Sequence, residues 1–412
     1  MNTAKTVREA VAGLGAEPLN EEEIARHIAP LFSRVLATER VYMANHSLGR
    51  PLDAMAEDVA EGAALWYSKM GEAWDDWLTE REAFRRRIAR LIGAERPDCV
   101  VPKTAAGQAL RAVLNALGER PRVVATRGEF DSTDVILKQY AALRRAEVCW
   151  VEPDARGEFG MEALMAEAER GADLVVVSQV MYQTAQIVED LGRLAETCHA
   201  HGARLLVDAY HAVGVVPVDV RAMGADFMIG GSYKYLRGGP GAGYLYVSPA
   251  VLESGLRPLD TGWFAKAEPM AFDRTEAIRL KAGGDAFLEG TPPVLTWYQA
   301  RSGQEFTLAM GIDRLREYGL RQLRSLRGHL AEAGVDDVTG GDARHGAFLA
   351  VRMKDAREIV NRLAEEGIDC DARGEWLRLC PDCLTRDEEL RQTAYAVGRL
   401  VKACATASEP IA

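Results

Sequence analysis

The sequence predicts an α/β fold, with a mostly parallel mixed sheet in a large domain and a smaller α/β domain at the C-terminus. Two observations carry this. Short apolar runs bounded by turn residues alternate with stretches of helical periodicity, the pattern of parallel strands covered by helices on both faces. In addition, 412 residues with 48% hydrophobic content suffice for one large core and a second, smaller one. We divide the chain into an N-terminal arm over 1–50 that packs with the small domain, a large domain over 51–325 and a small domain over 326–412.

The elements follow in order. Residues 1–40 are polar and helical in pattern, with Asn20 before Glu21-Glu22-Glu23 as a helix start. Their expected role is a packing arm. Val41 to Pro51 reads as a turn, with Gly49 and Pro51 as its punctuation. Residues 52–93 have helical periodicity, and Trp66, Trp74 and Trp77 read as a core stripe. A strand starting at Val100 leads through a turn into a helix. Further strands are expected at Val123 to Thr126, Val148 to Val151 and Ala172 to Val177. A helix from Leu191 to His201 feeds the run Leu205 to Val207, which ends in Asp208. Phe227 to Ile229 opens into Gly230-Gly231-Ser232-Tyr233-Lys234, and Tyr244 to Val247 follows a glycine-rich loop. A long helical stretch from Leu295 links to the small domain, with strands at Ala347 to Val351 and Trp376 to Leu379.

The net charge of −11 argues against nucleic acid or an anionic membrane as the main partner. No apolar run reaches the length of a membrane span. The stretch MNTAKTVREAVAGLGAEP lacks the apolar core of a signal peptide, so a cytoplasmic setting is expected. Seven scattered cysteines suit free thiols in a reducing compartment. Cys380 and Cys383 form a C-x-x-C without a second pair at zinc spacing. We read it as structural and expect no metal.

Asp208 and Lys234 stand at the ends of neighbouring apolar runs, where ligands of parallel sheets bind. That pairing suits pyridoxal phosphate. A lysine of lowered pKa forms the imine with the aldehyde, and an acidic residue faces the pyridine nitrogen. On spacing alone, a capping Asp and a surface Lys remain open. Thr104 precedes a helix whose N-terminus suits a phosphate, though threonine is also an ordinary N-cap.

The residues add to this. Asp208-Ala209-Tyr210-His211-Ala212-Val213-Gly214, Ala225-Asp226-Phe227 and Ser232-Tyr233-Lys234-Tyr235-Leu236 resemble kynureninase, a fold-type I enzyme of the class V aminotransferase group. The likeness runs patchily over residues 40–385. It implies pyridoxal 5′-phosphate, with Lys234 as the imine-forming lysine and proton shuttle. Asp208 would be the pyridine-nitrogen partner, His211 would orient the site, and Tyr233 would bind phosphate and pass a proton. It further implies Thr104 and Ala105 at the phosphate and Phe130 stacked on the ring. A cofactor-site aspartate would be Asp134 in preference to Asp131, with an Asp-Ser turn as the alternative. The segment Asn45-His46-Ser47-Leu48-Gly49 resembles the family's asparagine-serine-leucine-glycine with a histidine inserted. It makes Asn45 and Ser47 candidates for substrate contact. Arg378, before Leu379-Cys380-Pro381, would clamp the substrate α-carboxylate bidentately. Trp263 and Thr291 would reach the phosphate of a neighbouring subunit, which implies a homodimer with shared sites.

The implied reaction is hydrolysis of the Cβ–Cγ bond of kynurenine, or of a substituted relative or other γ-keto amino acid, to alanine and an aryl acid. Three departures bear on the aryl group. No histidine lies between His46 and His199, Tyr210 stands where a small residue is usual, and Gly290-Thr291 replaces serine-asparagine. A class V aminotransferase would use the same lysine, aspartate and arginine. The motif around Cys380 and Cys383 is wrong for a cysteine desulfurase. A cofactor-binding regulator would need a DNA-binding region, which does not fit in this acidic chain.

Overall fold

Aliphatic, largely β-branched runs build the central sheet. The computed structural model describes residues 3–407, apart from residues 156, 272, 273 and 275. The ends of the expected arm and small domain, residues 1–2 and 408–412, lie outside the described residues. A short strand, β1 (Val41–Tyr42), comes first and lies outside this sheet. Then come β2 (Val100–Lys103), β3 (Arg122–Thr126), β4 (Glu147–Val151), β5 (Leu174–Ser178), β6 (Arg204–Asp208), β7 (Phe227–Gly231) and β8 (Gly243–Val247). These seven form one sheet in the order β2-β8-β7-β6-β5-β3-β4. β8 pairs antiparallel with both its neighbours, and every other pairing is parallel.

Successive residues of a strand face opposite sides. Val175 and Val177 accordingly join Val124, Leu205, Val207 and Met228 in one core, while Leu174 and Val176 join Val123, Ala125, Leu206 and Ile229 in the other. Both faces are dry, which is why these strands read as unbroken apolar runs. The expected strand at Ala172 starts instead at Leu174. Asp173 is held back in the turn, where its carboxylate accepts the Arg122 N–H at 2.7 Å.

Residues 52–93 form two helices, Ala54–Lys69 and Ala73–Ile92, broken at Met70 with φ 49°. Trp77 is buried and donates to the Gly62 carbonyl at 3.0 Å, but Trp66, at the end of the first helix, is 60% exposed. The tryptophan stripe is therefore only partly core. The first helix, Thr3–Ala12, sets Val7 and Val11 against Phe306 and Met310 of the helix Leu295–Met310 and against Leu384. Asn20 caps the next helical segment, accepting the Glu23 N–H at 2.9 Å, as its position predicts.

Five strands follow, four of which form a second sheet: β9 (Val338–Thr339), β10 (Leu349–Arg352), β11 (Ile368–Asp369), β12 (Asp371–Arg373) and β13 (Trp376–Leu379). Four of these pair antiparallel in the order β12-β13-β10-β9, over a core that includes Leu326, Leu330, Ile359 and Leu363. The remaining strand, β11, pairs in parallel with β1. That pairing, continued by a bridge from Ala44 to Cys380, ties the segment after β1 to the second sheet.

Candidate active site

Because β6 and β7 run in parallel, with Asp208 opposite Ile229, Asp208 and the Lys234 loop emerge at the same end of the sheet. There a cavity of about 250 Å³ is lined by Asp208, Tyr210, His211, Tyr233 and Lys234, and also by Thr104, Ala105 and Phe130.

Lys234 is 5% exposed, and its Nζ lies 2.5 Å from Nε2 of His211. The rings of Phe130, Tyr233 and Tyr210 surround it at 5.4, 5.7 and 5.9 Å. Burial lowers the Lys234 ammonium to about 7, with the Asp208 charge opposing the shift. Asp208 is buried too. Its Oδ1 accepts the Tyr210 N–H at 2.9 Å, and burial raises its carboxyl against that hydrogen bond and the Lys234 charge. Burial likewise pushes His211 far below the ordinary histidine value, helped by Lys234 and Arg378. It pushes the Tyr233 phenol up to about 12, so this hydroxyl keeps its proton and can donate. A near-neutral amine and a buried carboxylate thus share one cavity, the combination that imine chemistry and a protonated pyridine require.

Thr104 precedes the helix Ala106–Ala116, and its backbone N–H and hydroxyl both donate to Oε1 of Gln108, at 2.8 and 3.1 Å. Two converging donors at a helix N-terminus thus hold a single oxygen, as they would a phosphate oxygen. The cavity's donors therefore fit pyridoxal phosphate at both ends. Thr291 is exposed and lines an adjoining cavity of about 240 Å³ that shares Thr104 and Gly241 with the first. Trp263 is 37% exposed, packs edge-on against Phe264 at 4.3 Å and lines neither cavity.

Arg378 is 2% exposed, but its fork is already engaged. Nε and Nη2 donate to the two oxygens of Asp371 at 2.8 and 2.5 Å, and Nη1 donates to the Tyr182 carbonyl at 2.6 Å. One edge of the fork therefore holds Asp371. Burial would raise the Asp371 carboxyl, yet hydrogen bonds from His46 and Arg378 outweigh it and hold the group below the usual carboxylate range.

Three of the expected site residues lie away from the Lys234 cavity. Asp134 does not line the cavity. It sits in the first turn of the helix Asp131–Ala142 and accepts from Lys138, one turn on, at 2.6 Å, while Ser132 faces the cavity. Asn45 lines a separate cavity of about 40 Å³ with Tyr235, Arg237 and Asp382. The inserted His46 instead reaches Asp371, at 2.8 Å. Ser47 is half-buried and does not line the Lys234 cavity; its N–H closes a turn onto the Ala44 carbonyl at 2.8 Å. Gln186 makes both its side-chain bonds to the Phe159 backbone.

The sequence reading also passed over Glu129. This residue is buried, and it accepts from Thr126 Oγ1 and Ser178 Oγ, each at 2.6 Å, and from the Ser178 N–H at 3.1 Å. Burial raises its carboxyl to about 7 despite these bonds. Its neighbour Phe130, which was expected, hid it: both belong to the loop after β3. Among the described residues, no helix is long and apolar enough to cross a membrane, and no cluster of three or more His, Cys, Asp or Glu could hold a metal ion.

The chain matches the family described as Aminotransferase class-V over residues 49–377. It is 27% identical over 344 residues to the uncharacterized aminotransferase YcbU of Bacillus subtilis, covering 82% of this chain and 89% of that one. It is 28% identical over 363 residues to a kynureninase of Pseudomonas fluorescens, covering 84% and 85%. Among solved structures, a C-DES mutant with glycine covalently linked to its PLP cofactor superposes with a TM-score of 0.81 at 16% identity, covering 90% and 98%. A cysteine desulfurase of Thermococcus onnurineus does so with 0.76 at 20%, covering 90% and 96%. These two speak for the fold. A lysine and a carboxylate facing one another across a cavity, with a phosphate-ready helix end beside them, are what this family's cofactor, pyridoxal 5′-phosphate, requires, and the chain accordingly belongs to the aminotransferase class-V family as a kynureninase-like enzyme of fold type I.

Proposed function

We propose that this protein hydrolyses the Cβ–Cγ bond of kynurenine, a substituted kynurenine or a related γ-keto amino acid, releasing alanine and an aryl acid. The observation that carries this reading is the placement of the kynureninase-like segment Asn45 to Gly49. The Gly49 N–H donates to the Tyr233 carbonyl at 2.8 Å, and Ala44 bridges Cys380, two residues beyond Arg378. The segment thus wedges between the lysine loop and the arginine strand. Kynureninase relatives that align with most of the chain support the same reading.

When bound, pyridoxal 5′-phosphate supplies an electron sink for charge developing at the substrate Cα. Thr104, Ala105 and the helix end behind them would hold its phosphate, Phe130 would pack on its ring, and Asp208 would keep the pyridine nitrogen protonated. Lys234, near-neutral at working pH, would take and hold the substrate Cα proton and act as the site's proton shuttle. Arg378 receives the α-carboxylate through the part of its fork not held by Asp371. Water adds to the γ-carbonyl and the Cβ–Cγ bond breaks. Tyr233 donates to the oxygen that gains charge in that step, because such charge needs a donor already in place. The protein acts as a cytoplasmic homodimer with the three segments bounded near residues 50 and 325. Exposed Trp263 and Thr291 are available to a second subunit's phosphate.

One observation favours a second reading. Gly290, which lines the cavity adjoining that of Lys234, has no side chain to offer an aryl substituent, and a class V aminotransferase would not need one. Product analysis separates the two. With cofactor-loaded protein and L-kynurenine or 3-hydroxykynurenine, alanine and the matching anthranilate should appear. Both products, and the absorption band of attached cofactor, should be lost in Lys234→Ala. A new keto acid without alanine would overturn the hydrolase in favour of the aminotransferase.

A further inference from the structure

The Arg378 guanidinium is gripped along one edge. Asp371 lies directly across the β12–β13 ladder from it, and both carboxylate oxygens take the Nε and Nη2 protons. Nη1 holds the Tyr182 carbonyl at 2.6 Å. A guanidinium has two edges that can receive a carboxylate; Asp371 takes one, and at the Nη1–Nη2 edge each nitrogen keeps one proton beyond those bonded to Tyr182 and Asp371.

Asp371 is itself held. Nε2 of His46 lies 2.8 Å from the Asp371 Oδ1 that also accepts from Nε of Arg378. His46 is completely buried, with its ring 5.1 Å from Phe348 and stacked at 6.4 Å and 28° on His211. Its Nδ1 is buried without a partner. Burial first, and then the Arg378 charge, lower His46 to about 4, although Asp371 pulls the other way. The ring is therefore neutral through the working range. Its one proton belongs on Nε2, where an acceptor waits, so His46 donates to Asp371. The other charged groups facing this cluster are Lys234, which adds to the depression of His46, and Arg373, 3.9 Å from Asp371.

We propose that His46 and Asp371 are positioning residues for Arg378, His46 fixing Asp371 and Asp371 fixing the plane of the guanidinium, so that its Nη1–Nη2 edge is presented to the α-carboxylate of an amino-acid substrate. This rests on the reading that Arg378 receives that carboxylate. It assigns a purpose to the histidine inserted into the Asn-Ser-Leu-Gly segment. It also opposes a different role for Asp371, that of an internal carboxylate which the substrate must displace.

The two roles predict opposite signs. Cofactor-loaded protein is titrated with L-alanine and with ethylamine, the same amine without the carboxylate, and binding is followed by the cofactor absorption spectrum. Asp371→Asn and His46→Ala should each weaken L-alanine by about tenfold, the scale of one charge-assisted hydrogen bond, and leave ethylamine within about twofold. His46→Gln, whose Nε2 can donate from nearly the same place, should restore L-alanine to within about threefold of the parent protein. Tighter L-alanine binding by Asp371→Asn would overturn the proposal in favour of displacement. Equal losses for both ligands would overturn it by reducing the pair to structural support. An Arg378→Ala protein that binds L-alanine like the parent would instead sink the carboxylate reading on which the proposal rests.

Discussion

Nζ of Lys234 and Nε2 of His211 lie 2.5 Å apart in a site from which both are shielded. Two positive charges cannot share that contact. Burial and the lysine's charge push the imidazole far below its ordinary value, so Nε2 accepts and Lys234 donates. The lysine is itself lowered to about 7 by burial. Only its neutral form attacks an aldehyde. Covalent attachment of added pyridoxal phosphate, followed by absorbance, should therefore quicken as pH rises and reach its midpoint near 7. A midpoint near 10 would show that burial does not depress this amine. Linkage gives a second readout on the cofactor-free protein. Between about 7 and the ordinary lysine value of about 10.4, the unfolded chain holds a proton that the folded one lacks, so stability rises with pH there. Lys234→Met should remove that rise.

Glu129 makes the opposite linkage prediction. Its carboxyl is buried among hydroxyl and N–H donors with no cation hydrogen-bonded to it, and burial raises it to about 7. Between about 4.5 and 7 the folded state holds the proton and the unfolded state does not, so this group's contribution is full below that window and lost as pH rises through it. The upper bound on the loss is about 3 kcal/mol. Glu129→Gln keeps the shape and cannot titrate. Thermal melts at pH 5 and pH 7.5 should differ less for the variant than for the parent, and an unchanged difference would show that Glu129 does not titrate in that range.

The elements around the site were legible because their burial is two-sided. Leu205 to Val207 and Phe227 to Ile229 read as strands from unbroken apolarity, and that placed Asp208 and Lys234 at one end of a sheet. What was not legible depends on register. Asn45 and His46 are adjacent, and the turn that the Ser47 and Leu48 N–H groups close onto the Ala44 carbonyl decides which of them meets Asp371. Asp371 meets Arg378 only because β12 and β13 pair with those two residues opposite, and no local pattern carries that fact. Glu129 was not legible because its partners, Thr126 and Ser178, come from two different strands. Asp134 was chosen by motif spacing, but a helix turns about 100° per residue, and that rotation gave the cavity to Ser132.

Gly49 should tolerate no side chain. A Cβ there would overlap the Lys234 carbonyl oxygen and crowd the Arg237 side chain, while its own N–H holds the Tyr233 carbonyl at 2.8 Å. Gly49→Ala must push the segment and the lysine loop apart. Overpacking of this kind costs about 1–3 kcal/mol. Denaturant unfolding should show that loss, together with weaker cofactor retention on dialysis. A variant that matched the parent in both would mean the loop shifts freely.

Asp382 joins three parts of the chain through charged hydrogen bonds. Its carboxylate accepts from Arg50, just after the Asn45 to Gly49 segment, and from Nη1 of Arg237, three residues beyond Lys234, at 2.8 Å. Asp382 itself follows β13, which carries Arg378. All three side chains are buried, and Arg237 holds a left-handed φ of 56° to take part. Burial would raise the Asp382 carboxyl, but the two guanidinium groups outweigh it and hold it below the carboxylate range. Removing one member of such a cluster leaves its partners buried and uncompensated, which costs about 3–5 kcal/mol. Asp382→Asn should therefore destabilise the protein by that order in denaturant unfolding. It should also loosen the lysine loop and the arginine strand together. Faster cofactor loss and weaker L-alanine binding are expected in the same variant, even though Asp382 does not line the Lys234 cavity. If stability fell while both binding properties stayed at parental values, the cluster would hold the fold without setting the geometry between Lys234 and Arg378.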